Sequence, residues 1–133
     1  MPNFEDLYAG GCTGIVTTGS GSTLPNSLVA RGSRAVFYGA DGWYNRAATV
    51  YICVFDATAV PSNATLTLSN MPKHVFQVTG PGNFSINVTP SGELFLNGIV
   101  IAVSTTALPT FTADTNNAGW FNVQSVLEGP GAT

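Results

Sequence analysis

The chain has 133 residues, about the size of one domain and enough to bury a hydrophobic core without disulfides or metals. Only 8% of its residues are charged, against roughly 25% in typical soluble proteins, whereas the hydrophobic share of 44% is ordinary. The net charge of −3 and the four Lys and Arg residues leave no basic stripe to neutralise phosphates, so we expect no nucleic-acid partner.

The shortage of charge concerns the surface, because charged residues normally lie there. A surface built from Ser, Thr, Asn and Gly either contacts other subunits or keeps the protein soluble through uncharged polar groups. Composition leaves both interpretations open. The first predicts a homo-oligomer whose contacts are uncharged polar and apolar.

The N-terminus has none of the features of a secretory signal. Glu5 and Asp6 stand where a signal peptide carries basic residues, and no apolar run long enough for its hydrophobic region follows. No stretch approaches the length of a membrane span, so no membrane partner is predicted. The chain is therefore expected to be made in a cytoplasm, where Cys12 and Cys53 remain free thiols.

Residues 1–26 are predicted to form an extended arm. They are rich in Gly, Ser and Thr, and two apolar patches interrupt them. The apolar residues are Phe4, Leu7, Tyr8, Ile15 and Val16. A flexible linker has no use for such patches, which favour an arm that orders by docking on a partner or a neighbouring subunit. The alternative is a disordered terminus with incidental hydrophobic residues.

Strand-like sequence begins at Ser27, with short apolar runs that end at Tyr38. The dipeptide Asp41-Gly42 then predicts a hairpin turn. Asp41 is followed by Trp43, Tyr44 and Arg46, and these four residues are candidates for a polar-aromatic recognition patch. The other interpretation is a loop whose aromatic side chains cover one end of the core.

The run Val50 to Phe55 is apolar on both faces of an extended strand. It therefore predicts a central strand that is covered on both sides. Pro61-Ser-Asn63 turns the chain after it, because proline cannot continue a hydrogen-bonded ladder. The strict alternation of Thr65–Leu68 predicts a further strand.

The second half of the chain alternates more clearly. Phe84, Ile86 and Val88 occupy one face of a strand that follows the Gly80–Asn83 loop. Other strands are predicted at Val75–Val78, Leu94–Leu96, Ile99–Val103 and Trp120–Val126. The predicted core residues are Val50, Ile52, Val54, Phe84, Ile86, Val88, Ile99, Ile101 and Val103.

Short, regularly spaced strands without helical periodicity predict an all-β fold, an antiparallel β-sandwich of about seven or eight strands. The sandwich is expected to cover residues 27–127 and to be followed by a flexible tail at 128–133. A small barrel is the alternative architecture.

Residues with catalytic potential are few and scattered. His74 is the only histidine, and two distant cysteines cannot complete a metal site with it, so it is interpreted as solvated or hydrogen-bonded. Acid–base pairs would have to come from four carboxylates on separate segments: Asp41, Asp56, Glu93 and Asp114. The sequence therefore predicts no enzyme, no metal and no cofactor.

Several motifs resemble small β-sandwich virion proteins of tailed bacteriophages. They are Phe37-Tyr-Gly39, Val50-Tyr-Ile-Cys-Val-Phe-Asp-Ala57, Val60-Pro61, Gly98-Ile-Val-Ile-Ala-Val-Ser-Thr-Thr106 and Gly119-Trp-Phe121. The resemblance runs from residue 34 to 126, about two-thirds of the chain, and rests on β-strand motifs. It does not extend to the arm.

The resemblance implies a capsid decoration (cement) protein, located on the capsid surface of a virion assembled in a bacterial cytoplasm. Its partners would be the major capsid protein and other copies of itself, with a trimer favoured at shell symmetry axes. The same resemblance allows a tail, fibre or head-fibre component that binds a host surface glycan or receptor.

Two classes outside virions complete the alternatives. A carbohydrate-binding module would use aromatic side chains as stacking platforms, here Trp43, Tyr44, Trp120 and Phe121. An enzyme would depend on Asp41 or Glu93. Neither class explains the arm.

Overall fold

The computed structural model describes residues 15–17, 27–88, 91–115 and 119–127, the first segment by its backbone alone. The described residues are all β-strands and loops, and every strand pair is antiparallel. The strands are β1 (Ile15–Thr17), β2 (Ser27–Arg31), β3 (Ala35–Tyr44), β4 (Thr49–Asp56), β5 (Ala64–Thr65), β6 (His74–Thr79), β7 (Gly82–Asn87), β8 (Glu93–Phe95), β9 (Ile99–Ser104), β10 (Thr110–Phe111) and β11 (Gly119–Leu127).

Two main sheets form a sandwich, as the short alternating strands predict. The first sheet has the order β1-β11-β3-β7, with β8 pairing with the beginning of β3, and the second has the order β2-β9-β4-β6. Large side chains from both sheets meet in one core between them, including Phe37, Tyr44, Ile52, Phe95, Ile101 and Phe121. The predicted core residues are buried except Val88, which is only partly buried.

The central strand is covered on both faces, as predicted. Strand β4 lies between β9 and β6, and Val50, Ile52 and Val54 face the main core. Its other face belongs to a second apolar cluster, in which Cys53 and Phe55 pack with side chains that include Leu66 and Phe111. The paired strands β5 and β10 lie over this face of β4. The two inner strands of the second sheet, β4 and β9, are therefore covered on both faces.

The hairpin turn predicted at Asp41-Gly42 is wrong, because β3 runs straight through it. Gly42 lies opposite Phe121 of β11 on one side and opposite Phe84 of β7 on the other. A Cβ atom on Gly42 would collide with the backbone carbonyl oxygen of Trp120. The glycine thus permits close packing inside a sheet rather than a positive backbone angle in a turn.

The strand predicted at Thr65–Leu68 is also mostly wrong. Only Ala64–Thr65 is a strand, and the Asn70 side chain closes a turn by accepting a hydrogen bond from the Thr67 amide at 2.7 Å. This side-chain bond competes with a ladder. Leu66 enters the second cluster, whereas Leu68 is 99% exposed.

Part of the predicted arm is a strand. The backbone of β1 pairs with β11, with Ile15 opposite Gln124 and Thr17 opposite Asn122. Residues 15–17 of the predicted extended arm therefore form an edge strand of the first sheet. Phe4, Leu7, Tyr8, the side chains of Ile15 and Val16, and the predicted tail lie outside the described residues.

Candidate binding surfaces

The predicted recognition patch is split by the alternation of β3. Asp41 and Trp43 lie on the outer face of the first sheet, whereas Tyr44 points inward and is fully buried. Tyr44 is therefore removed from the candidate surface residues. Phe121, another predicted stacking platform, is buried in the same core.

Tyr44 and Arg46 instead bind Asp114 in an internal polar cluster. The Tyr44 hydroxyl donates to one carboxylate oxygen at 2.7 Å, and Arg46 Nη1 donates to the other at 2.8 Å. The Asp114 side chain is 1% exposed. Burial raises the pKa of Tyr44, and the hydrogen bond to Asp114 raises it further. This cluster ties the segment before β11 to the end of β3 and is structural.

The outer face of the first sheet carries a patch that we call the tryptophan face. It contains Asp41, Trp43, Asn83, Ser85, Asn87, Trp120, Asn122 and Gln124. Trp43 lies directly opposite Trp120, and the two side chains are 37% and 38% exposed. Beside them Gln124 Nε2 donates to Asp41 Oδ1 at 3.1 Å. Unlike the outer face of the second sheet, this patch has no covering ribbon among the described strands.

A second surface lies at one end of the sandwich, and we call it the loop-end groove. It has a volume of about 340 Å³. Its lining residues are Phe55, Asp56, Ala57, Pro61, Leu68, Ser69, Asn70, Met71, Lys73 and Asn97. The Asp56 carboxylate fixes one wall by accepting hydrogen bonds from the amides of Leu96, Asn97 and Gly98 at 3.1, 2.8 and 3.4 Å. Leu96, at this wall, is 59% exposed.

His74 is hydrogen-bonded, in agreement with one of its two sequence interpretations. Its Nε2 bonds the carboxylate of Glu93, which also lies 3.7 Å from Lys73 Nζ. The contact joins β6 of the second sheet to β8 of the first. No group of three or more His, Cys, Asp or Glu residues in the described part of the chain is placed to hold a metal ion.

Sequence reasoning missed the groove and the role of Asp114. Asp114 is 70 positions from Tyr44 and 68 from Arg46, so local periodicity carries no signal for the cluster. The groove depends on a turn that the alternation of Thr65–Leu68 concealed. The four carboxylates that were candidates for acid–base work bind separate partners: Gln124, the 96–98 amides, His74 with Lys73, and Tyr44 with Arg46.

No family model, curated protein or solved structure matches this chain. The described residues contain no helix long and apolar enough to cross a membrane.

Proposed function

We propose that this chain is a structural virion protein of a tailed bacteriophage that decorates and stabilises the capsid through contacts with the major capsid protein. The motif resemblance between residues 34 and 126 supports the virion setting. The observation that supports attachment to the capsid is the loop-end groove, whose lining includes the exposed Leu68. A second protein could insert a side chain into this groove and bury Leu68 in its own surface.

Leu68 is the anchor of the proposed contact. It is 99% exposed on a turn that the Asn70 side chain holds in place. A rigid turn lowers the entropy that the surface loses on binding. Burying a leucine contributes about 1.5–3 kcal/mol, which is a measurable share of the affinity of a small interface.

The distribution of charge supports attachment through uncharged groups. Two charged residues line the groove: Asp56, whose carboxylate accepts three backbone amides, and Lys73, which lies 3.7 Å from Glu93. Elsewhere Arg31 donates to the Ser125 side chain at 3.0 Å, and Arg46 binds Asp114. These charged groups interact within the domain, so they contribute less to contacts with a partner protein. Binding to the capsid should then depend weakly on ionic strength.

Replacing Leu68 with serine tests the attachment. Leu68→Ser should weaken binding to assembled capsids by about tenfold or more, because it removes about 1.5 kcal/mol or more of apolar burial. Cosedimentation of purified protein with capsids that lack it measures the change. Val29→Ser is the matched control, since Val29 is 43% exposed on β2, away from the groove lining.

Equal capsid binding by Leu68→Ser and the unaltered chain would contradict the groove as the attachment surface. Imaging of the intact virion decides the location. Density on the capsid surface is expected, and its position relative to the symmetry axes would show whether the copies form the proposed trimer. A protein missing from purified particles would overturn the virion proposal.

Location on the tail would instead favour a tail, fibre or head-fibre component that binds a host glycan or receptor. The tryptophan face is the observation that keeps this candidate open. It pairs exposed aromatic rings with hydrogen-bonding side chains, a combination suited to recognition.

A further inference from the structure

We propose that the tryptophan face binds an uncharged oligosaccharide or polysaccharide chain. This inference goes beyond attachment to a capsid and uses a different surface from the loop-end groove. It rests on the pairing of Trp43 with Trp120, on the polar rows beside them, and on the sign of the local charge.

The two indoles form a stacking platform. Trp43 and Trp120 are directly opposite on adjacent strands, a position in which Cβ atoms lie about 4.5–5.5 Å apart. Each keeps more than a third of its side chain exposed. The faces of aromatic rings carry partial negative charge, which attracts the weakly positive C–H groups on the apolar face of a pyranose ring.

The neighbouring rows provide hydrogen bonds for sugar hydroxyls. Asn122 lies opposite Asp41, which lies opposite Ser85, and Asn83 continues the row that contains the two tryptophans. The amides both donate and accept, the carboxylate accepts, and the serine hydroxyl does either, so the patch can satisfy a polyhydroxylated ligand.

Part of this polar set is held in position before any ligand arrives. Gln124 donates to Asp41 at 3.1 Å, and Asn87 Nδ2 lies 3.4 Å from Ser85 Oγ. Such bonds restrict the rotamers of the side chains that would meet the sugar, which lowers the entropic cost of binding.

The shape of the face favours an extended ligand. Small molecules usually bind in concave pockets that enclose most of their surface. The tryptophan face is instead the side of an antiparallel sheet, and its rows run across β7, β3 and β11. A ligand must therefore gain affinity from several sugar units along the sheet, so a chain is favoured over a single sugar.

Charge restricts the ligand to uncharged sugars. Asp41 is the charged residue of the face, and it disfavours sugars that bear carboxylate, sulfate or phosphate groups. The cations nearest in sequence are Arg46, which binds Asp114, and Arg34, which lies at the opposite end of β3 from Trp43. None of the Lys, Arg or His residues in the described ranges belongs to the face.

Intrinsic fluorescence gives a direct test, because the chain contains two tryptophans and both lie on this face. The full chain should be titrated with cellohexaose, xylohexaose, mannohexaose and chitohexaose. At least one should shift or quench the emission in a saturable way. The acidic hexamer of galacturonic acid should give at least a tenfold weaker response.

Variants locate the binding site. Trp43→Ala should lower the affinity at least tenfold, with Trp120 still reporting, and Asp41→Ala should lower it severalfold without removing a ring. Val29→Ala, which removes an exposed apolar side chain from β2 of the second sheet, should bind as the unaltered chain does. Far-UV circular dichroism checks that each variant is folded.

Three results of the sugar titrations would overturn the proposal. They are no response to any neutral hexasaccharide, a response to the acidic sugar alone, and retained affinity in folded Trp43→Ala and Asp41→Ala. An emission shift that depends on protein concentration without sugar would assign the face to a second copy of the chain and would also overturn it. Because Leu68→Ser tests capsid attachment separately, failure of one proposal is distinguishable from failure of the other.

Discussion

At the scale of single residues, Cys53 links burial to the pH dependence of stability. Its side chain is fully buried in the second cluster, and this burial raises the pKa of the thiol from 9.0 to about 12. The unfolded chain releases this proton more readily than the folded chain. The contribution of the protonated Cys53 thiol to the free energy of unfolding is therefore complete below about pH 9. It is lost as the pH rises through 12.

We expect the free energy of unfolding to fall between pH 9 and pH 11 by about 2 kcal/mol more in the unaltered chain than in Cys53→Ala. The variant starts from a lower stability because it leaves a small cavity, but its dependence on pH should be flatter. Tyr44, whose pKa is also raised, contributes equally to both proteins and cancels. Urea unfolding at several pH values gives the comparison, and parallel curves would contradict the prediction.

The side chains of β3 that lead to the Asp114 cluster could not be assigned to the surface or the core from sequence alone. Asp41 and Trp43, which the sequence analysis placed at a turn, lie on the outer face of β3 instead. Tyr44 differs from Trp43 by one position, and alternation sends it inward once β3 is known to continue. The assumed turn at Asp41-Gly42 hid that consequence.

At the scale of elements, Gly42 determines how closely β3 and β11 approach. Gly42→Ala should destabilise the fold by about 3 kcal/mol or more, because the new Cβ meets the backbone of Trp120 rather than a mobile side chain. Gly32→Ala is the matched control, since a Cβ there has nothing within 4 Å. Urea unfolding of the two variants measures the difference.

Equal stabilities of the Gly42→Ala and Gly32→Ala variants would show that the sheet shifts at little cost. The Gly42→Ala substitution also affects the tryptophan face, because the new Cβ would meet the backbone of Trp120. The Trp120 indole is one of the two aromatic rings of that face. A shift of the Trp120 backbone should therefore change the tryptophan emission of Gly42→Ala and leave that of Gly32→Ala unchanged.

Elements with strong local patterns were predictable from sequence. The apolar run of β4 and the alternation of β7 each specify burial directly, and the structure confirms both. The failures share a cause: Asp-Gly and Thr65–Leu68 have local preferences that long-range contacts or a side-chain bond override. Pairing across the sheet, which decides the Asp-Gly case, leaves no mark in a short window of sequence.

At the scale of the whole molecule, the two sheets have different outer faces. The β5–β10 ribbon covers the inner strands β4 and β9 of the second sheet, whereas the polar and aromatic face of the first sheet has no such cover among the described residues. Sequence predicted a sandwich and a strand covered on both sides. It did not predict which sheet would keep an open face, because the ribbon is formed by two-residue strands from separate loops.

Strand β1 covers an edge of the first sheet, and this gives a prediction about assembly. It pairs with Asn122, Val123 and Gln124 of β11. Removing it leaves backbone amide and carbonyl groups of β11 without those partners, on a strand that carries no charged residue between Gly119 and Leu127. Uncovered, uncharged edges pair readily with other chains.

Deletion of residues 1–17 should therefore raise the average mass in solution above that of the full chain, whereas deletion of residues 1–14, which keeps β1, should not. Backbone hydrogen bonds are not screened by salt, so the increase should persist at high ionic strength. Light scattering over a range of protein concentrations provides the measurement. If both truncated chains keep the mass of the full chain, the β11 edge does not drive association, and contacts between copies must use another surface.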